Sequence, residues 1–289
     1  MKFTKFVAAL ATSVALMATV ATASAESVLR VAMTTGDLPT TTGAPTQGLE
    51  GMRFAGYPVF EPLVMWDLRK TDGPVTVIPW LAKEFKTDPN DRNKWIFTLR
   101  DDVNFHDGSK FDADAVIWNL ERYYNDKAEH FDPAAAAYLR SRASLLKSWE
   151  KIDDHTVAIT TSTPTSYFPE IVAGILMVSP KQWEAVGKDW SKFAEKPAGT
   201  GPFTFSDVNR NQLTLSKNDA YWNKERAAKL DKITLQAMPE ATTRMAALMS
   251  GQVDWIEAPS PDSIPVLEGA DFEVVTTSFP HVWPYWLKI

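Results

Sequence analysis

Four histidines and several carboxylate pairs are the residues of this 289-residue, cysteine-free chain whose types suit chemistry. His106, His130, His155 and His281 are scattered, and none forms the His-x-His or His-x-x-x-His spacing that turns two imidazoles toward one metal ion. His106-Asp107 has the donor types of a metal pair. Gly108 follows it, and Asp-Gly reads as a β-turn in which the aspartate bonds its own backbone. Asp101-Asp102 and Asp153-Asp154 pair carboxylates as an acid/base couple does, yet each separates two alternating runs and reads as a turn. No Gly-x-Ser-x-Gly occurs. The run Gly199-Thr200-Gly201 has the glycines of a phosphate-cradling loop, without the Lys-[Ser/Thr] or the following helix. Without cysteine there are no disulfides, thiol nucleophiles or thiolate metal sites. The chain is therefore expected to be no enzyme and to need no cofactor or metal, with a secreted hydrolase as the weaker reading. Binding remains. Eleven tryptophans suit stacking surfaces as well as core filling; Trp283 and Trp286 in particular fit a sugar face or a core equally.

The N-terminus bears on where such binding would take place. Lys2 and Lys5 precede an apolar run from Val7 to about Val20, and Ala23-Ser24-Ala25 follows as a small-residue cleavage site. Residues 1–25 read as a signal peptide, with the mature chain starting near Glu26. A permanent anchor is the competing reading, but the run is short and rich in Ala and Thr. Loss of Lys2 and Lys5 takes the net charge from −6 to −8. An acidic chain without a basic patch is a poor nucleic-acid binder. With no cysteine to carry a lipid, a soluble periplasmic protein is expected.

The elements that must position any site are written most clearly between Trp95 and Asn125. Trp95, Phe97 and Leu99 alternate with Ile96, Thr98 and Arg100, which predicts a strand; Val103 and Phe105 resume the alternation after Asp101-Asp102. Asp107-Gly108 turns the chain. Asp112 caps a helix whose inward face is Val116, Leu120 and Tyr123. A polar turn is expected at 87–94, and a helix over 132–148, capped by Asp132 with Pro133 in its first position. A hairpin around Asp153-Asp154 follows, then a strand from Ile175 ending at Pro180. Pro239 to Ser250 reads as an amphipathic helix with Met245, Leu248 and Met249 inward, and Phe272 to Thr277 as a strand. Val28 to Met33 is a first strand, followed by a long polar loop that suits a cleft mouth or a plain surface.

WIFTLRDDVNFHDG followed by FDADAVIWNLER closely resembles the signature of the extracytoplasmic solute-binding proteins of family 5, the peptide and nickel binding subunits of bacterial ABC importers. KPAGTGPF is similar to the family's "P-x-G-T-G-P-[YF]", and NDAYW, LDKI and GQVD match further segments. FEPL carries Phe60 where Tyr is usual, and IPWLAKEF carries Phe85 where Trp is usual. The resemblance runs through most of 28–289.

That resemblance implies an α/β, periplasmic binding protein-like fold of class II, peptide-binding type. Residues 26–60 and 180–280 would form the core subdomain of a first lobe, 61–179 an inserted subdomain, and 281–289 the start of a hinge to a second lobe that is missing. A fragment of a longer protein is expected, since WPYWLKI ends inside an apolar run. Di- or oligopeptides are the expected ligand and ABC permease subunits the partner. An opine or an oligosaccharide is the alternative solute; nickel and haem are also carried by the family, but no His or Met constellation here argues for them. In the family the loop after the first strand faces the ligand. Thr34, Thr35, Gly36 and Asp37 are candidates on that ground, together with His281 and Trp283 near the hinge.

Overall fold

A computed structural model describes residues 26–67, 69, 75–140, 143–209 and 211–276. The expected signal peptide, His281, Trp283 and the hinge segment lie outside the described residues. The first strand, β1 (Val28–Met33), leads through the polar loop to a short helix α1 (Gly48–Gly51), continued as a π-helical turn over Met52–Gly56. Short strands β2 (Glu61–Pro62), β3 (Val64–Trp66) and β4 (Val77–Pro79) follow. The hairpin of β5 (Ala82–Asp88) and β6 (Asp91–Leu99) takes in most of the polar stretch expected to be a turn, because only two residues are needed to reverse the chain.

Phe97 and Leu99 of β6 are fully buried, as the alternation requires. The second run is a correction. Val103 and Phe105 are buried, but the turn at Asp107-Gly108 closes so tightly that only the bridge Asn104–Lys110 forms, not a strand. Helix α2 (Ala113–Tyr124) starts at Asp112, whose side chain accepts from the Ala115 amide at 2.9 Å, and it buries Val116, Leu120 and Tyr123. Helix α3 (Pro133–Arg140) has its Asp132 cap, yet it is half the length expected: strand β7 (Leu146–Asp153) begins within the span read as helix, because pairing with β8 (Thr156–Thr161) outweighs helix propensity there.

Then come α4 (Phe168–Val172), β9 (Leu176–Met177), α5 (Pro180–Ala185) and α6 (Trp190–Glu195). The chain closes with β10 (Phe203–Val208), β11 (Gln212–Lys217), β12 (Lys232–Ala237), α7 (Ala241–Met249), β13 (Trp255–Ile256) and α8 (Ile264–Gly269). In α7 it is Leu248 and the guanidinium-bearing Arg244 that are buried, while Met249 is exposed, contrary to expectation. Residues 272–276 are not a strand: no neighbouring strand pairs with them, although Phe272 and Val274 pack against the small cluster below α7.

Two sheets organise these elements. The larger runs β10-β11-β12-β1-β13, antiparallel as far as β12 and parallel from β12 through β1 to β13. Val31 and Met33 of β1 face one apolar cluster with α5 and α6, and Ala32 faces another with α7 and α8. Such a strand is buried on both sides, as parallel pairing under helices demands. The smaller sheet, β5-β6-β8-β7, carries its own core with α2, α3 and α4. Each fully buried Phe or Leu contributes about 1.5–3 kcal/mol and an exposed ion pair about 0–1, so these clusters hold the fold.

Glu61 of β2 joins the two sheets' surroundings. It is fully buried, and its Oε1 accepts from Trp80 Nε1 and Tyr221 Oη, both at 2.6 Å. Oε2 accepts from Thr200 Oγ1 at 2.7 Å and Trp222 Nε1 at 2.9 Å. Burial pushes this carboxyl above the ordinary carboxylate range, and the four hydrogen bonds oppose the push. Beside Thr200, the Gly199 backbone lies against the Val59 carbonyl, where any Cβ would collide with it.

Glu61→Gln is expected to lose roughly 2 kcal/mol or more, because an amide NH2 would replace an acceptor in front of two donors. Urea unfolding measures it; wild-type stability would remove Glu61 from its central place. By the same assay Gly199→Ala is expected to destabilise by more than about 2 kcal/mol, while Gly269→Ala, which meets nothing, stays within about 0.5.

Candidate functional site

Parallel pairing puts the C-terminal ends of β12, β1 and β13 on one rim of the larger sheet, the rim where open α/β sheets hold their ligands. Thr34 and Thr35 leave β1 there, and Glu257 leaves β13. Thr34 Oγ1 donates to Glu257 Oε2 at 3.2 Å, and Arg53, from the turn after α1, pairs with Glu257 Oε1. Thr35 is buried, with its hydroxyl left without a partner. Gly36 and Asp37 face solvent. Of the sequence candidates, then, Thr34 and Thr35 stand at the rim's polar cluster and Gly36 and Asp37 at its open side.

Arg244 of α7 supports the rim from below. Its guanidinium donates to four backbone carbonyls, those of Met238, Pro239, Glu257 and Ala258, at 2.7–3.0 Å. Ala258 is held at φ 45°, a strained region for a residue with a side chain. Beside them Trp255 stands edge-on to Phe54, with centroids 5.2 Å apart, and is 38% exposed. The periodic pattern of α7 gave no notice that Arg244 would be buried. Glu257 and Arg53 carried only one signal, a charge directly after a strand pattern and one inside an apolar run.

The loop after β1 is fastened rather than free. Thr41 Oγ1 donates to the Ala194 carbonyl at 2.6 Å, and Arg122 donates to the Thr42 carbonyl. Arg122 is itself buried, paired with Asp132 at 2.6 Å and stacked 3.8 Å over Trp190. Gly43 has φ 77° and leaves no room for a Cβ against Val178. The loop's path is thus set by a buried cation and a glycine.

On the far side of α1 lies a pocket of about 300 Å³. Leu49 and Met52 from α1 and its continuation form one wall, with Tyr57 and Trp66 beside them. Tyr138 and Leu139 of α3 and Glu170 and Ile171 of α4 form the others. The Tyr57 hydroxyl donates to the Ala173 carbonyl at 3.2 Å, and burial raises its pKa well above the usual phenol range. Glu170 Oε2 is enclosed and has no hydrogen-bond partner.

His106 serves the frame, not a metal. Its Nδ1 accepts from the Gly199 amide at 3.2 Å, its Nε2 reaches the Gly201 carbonyl at 3.0 Å, and its own amide donates to the Gly199 carbonyl at 2.8 Å. Both ring nitrogens are used, which assigns the proton to Nε2. Asp107 adds a bond from Ser179 Oγ at 2.6 Å. Among the described residues no group of three His, Asp or Glu is placed to hold a metal ion, and no helix is long and apolar enough to cross a membrane.

A family model for bacterial extracellular solute-binding proteins, family 5 (middle region), matches residues 76–289. The chain is 31% identical over 207 residues to the nickel-binding periplasmic protein of Escherichia coli K12, covering 70% of this chain and 36% of that protein. It is 34% identical over 167 residues to the glutathione-binding protein GsiB of Salmonella paratyphi A, 56% of this chain and 30% of that one. Among solved structures, it matches the ABC transporter-associated periplasmic binding protein DppA of Helicobacter pylori in complex with the peptide STSA. The TM-score is 0.72 at 26% identity, over 84% of this chain and 48% of that chain. The chain thus spans less than half the length of each.

Desolvation lowers the His106 pKa to about 4. Below pH 6.5 the unfolded chain takes up a proton that the folded imidazole refuses, so stability falls as the pH drops toward 4, by about 3 kcal/mol from this group. The stability gap between wild type and His106→Gln is therefore expected to shrink by that amount from pH 7 to pH 4 in denaturant titrations. A gap independent of pH would show that His106 titrates alike in both states.

Proposed function

The chain belongs to family 5 of the bacterial extracellular solute-binding proteins, and we propose that it captures di- and oligopeptides in the periplasm for delivery to the permease subunits of an ABC importer. Its fold is the mixed α/β fold of periplasmic binding proteins of the peptide-binding type. Residues 1–25 act as the cleaved signal peptide in this reading. Residues 26–60 and 180–280 act as a core subdomain and 61–179 as an insert, a division supported by the two sheets and their separate apolar cores. The protein works by binding and release, without catalysis.

The observation that carries the reading is the rim of the larger sheet. A buried, unpartnered Thr35 hydroxyl lies beside the Thr34–Glu257–Arg53 cluster. Hydroxyls and exposed backbone at Gly36 and Asp37 suit the amides of a peptide, whose recognition rests on main-chain hydrogen bonds. The glutathione-binding and peptide-bound relatives support the same ligand class. His281 and Trp283 are retained in the proposed site on the family resemblance. A second reading, a non-peptide solute such as an opine or an oligosaccharide, is favoured by the half-exposed Trp255 at this rim, which offers a stacking face.

Thermal unfolding in the presence of a mixed di- to tetrapeptide pool tests the proposal. At a hundredfold excess over Kd, binding adds about 2.7 kcal/mol, which raises Tm by roughly 5 °C or more in a chain of this size. A rise with peptides alone is expected. A rise with mannopinic acid, maltotriose, nickel–histidine or haemin, and none with peptides, would overturn the peptide assignment.

A further inference from the structure

The pocket on the far side of α1 has a charge imbalance that the rim does not share. Its walls are apolar and aromatic apart from Glu170, and the Tyr57 hydroxyl is already committed to a backbone carbonyl. Glu170 has one carboxylate oxygen enclosed and unbonded, and no ion pair among the described residues includes it. The described arginines near the pocket walls in sequence are engaged elsewhere. Arg53 points to Glu257 across α1, Arg69 pairs with Asp67, and Arg140 donates to the Tyr123 carbonyl while lying 5.2 Å from the Phe131 ring. Glu170 sits in the first turn of α4, where the helix field favours a negative charge, but α4 is five residues long and gives its side chain no hydrogen bond.

A carboxylate removed from water at one oxygen and left, among the described residues, without a cation is an unfavourable arrangement unless a partner arrives. We propose that Glu170 is a specificity-determining residue and that this pocket receives the cationic group, ammonium or guanidinium, of a solute with an apolar or aromatic stem. The proposal rests on the solute-binding reading and names the chemistry of the ligand it would select. The stem lies against Met52 and Ile171. Trp66 and Tyr138 offer ring faces that attract a cation as well as an apolar chain. A volume of about 300 Å³ is at the small end of ligand pockets and suits the side chain of a basic or aromatic amine.

The test uses a matched pair of probes, phenethylammonium chloride and the neutral 2-phenylethanol, titrated calorimetrically into wild type and Glu170→Gln. Wild type is expected to bind the amine at least about tenfold more tightly than the alcohol, and Glu170→Gln to bring the two together. Glu170→Gln is also expected to unfold at the wild-type temperature or above it, since it removes an unpaired charge. Equal binding of the two probes by wild type would overturn the proposal, as would a cation preference that survives in Glu170→Gln. Failure of both probes, with the peptide pool still raising Tm, would overturn the cation pocket and leave the solute-binding reading standing. The wild-type ratio decides the matter even where the variant folds poorly.

Discussion

Glu61 is buried without a cation in contact with it, and four neutral donors from three distant stretches of chain converge on its two oxygens. Trp80 comes from the link between β4 and β5, Thr200 from the glycine loop, and Tyr221 and Trp222 from the turn before β12. A desolvated carboxylate is tolerable only while its hydrogen bonds are intact, so the three stretches are held in one arrangement or the whole group is exposed together. Arg100 lies 4.4 Å from the Trp222 ring and Arg226 5.0 Å from the Trp80 ring, which surrounds the network with positive charge at a distance. Tight glycine packing against residues 58–59 and the His106 clamp on the same loop then fix the 199–201 loop against the stretch that leads into Glu61.

From that arrangement the two proposed binding surfaces follow. The stretch from α1 to Gly56 runs directly into the Glu61 segment, so its two sides are held in place with it. One side sends Arg53 and Phe54 to the rim, against Glu257 and Trp255; the other sends Leu49 and Met52 into the pocket. The rim is supported by Arg244, whose guanidinium is spent on carbonyls, and the loop beyond β1 by Arg122, whose charge is spent on Asp132 and the Thr42 carbonyl. These two buried guanidinium groups fasten backbone. The Glu170 carboxylate differs in having no bonded partner among the described residues.

Local signals in the chain were reliable wherever a single element explained them. The Asp112 cap, the buried stripe of α2, the Asp153-Asp154 hairpin and the Asp-Gly turn at 107–108 all depend on residues within a few positions of one another. Misreadings fell where a distant partner decided. The helix expected over 132–148 gave way to β7 because β8 was available to pair with it, and residues 272–276 stayed unpaired because no strand was. Met249 lay within the apolar pattern of α7 yet faces outward, because Arg244 takes the inward position to reach four carbonyls. Thr34 and Thr35 were suggested by family resemblance, whereas Glu257 and Arg53 were not, although they complete the same cluster.

By itself the sequence determined the family, the α/β class and the elements with strong local signals, such as β1, β6, α2 and the β7–β8 hairpin, because periodicity, caps and turn residues act over a few residues and are printed in order along the chain. Only the tertiary structure decided which charges would be buried and what they would hold. The Glu61 network spans 161 residues, the Thr34–Glu257 contact 223, and the Glu170 pocket draws its walls from α1, α3 and α4. A polar side chain's role depends on which donors and acceptors surround it once water is excluded. That surrounding is assembled by packing, and no local pattern encodes it.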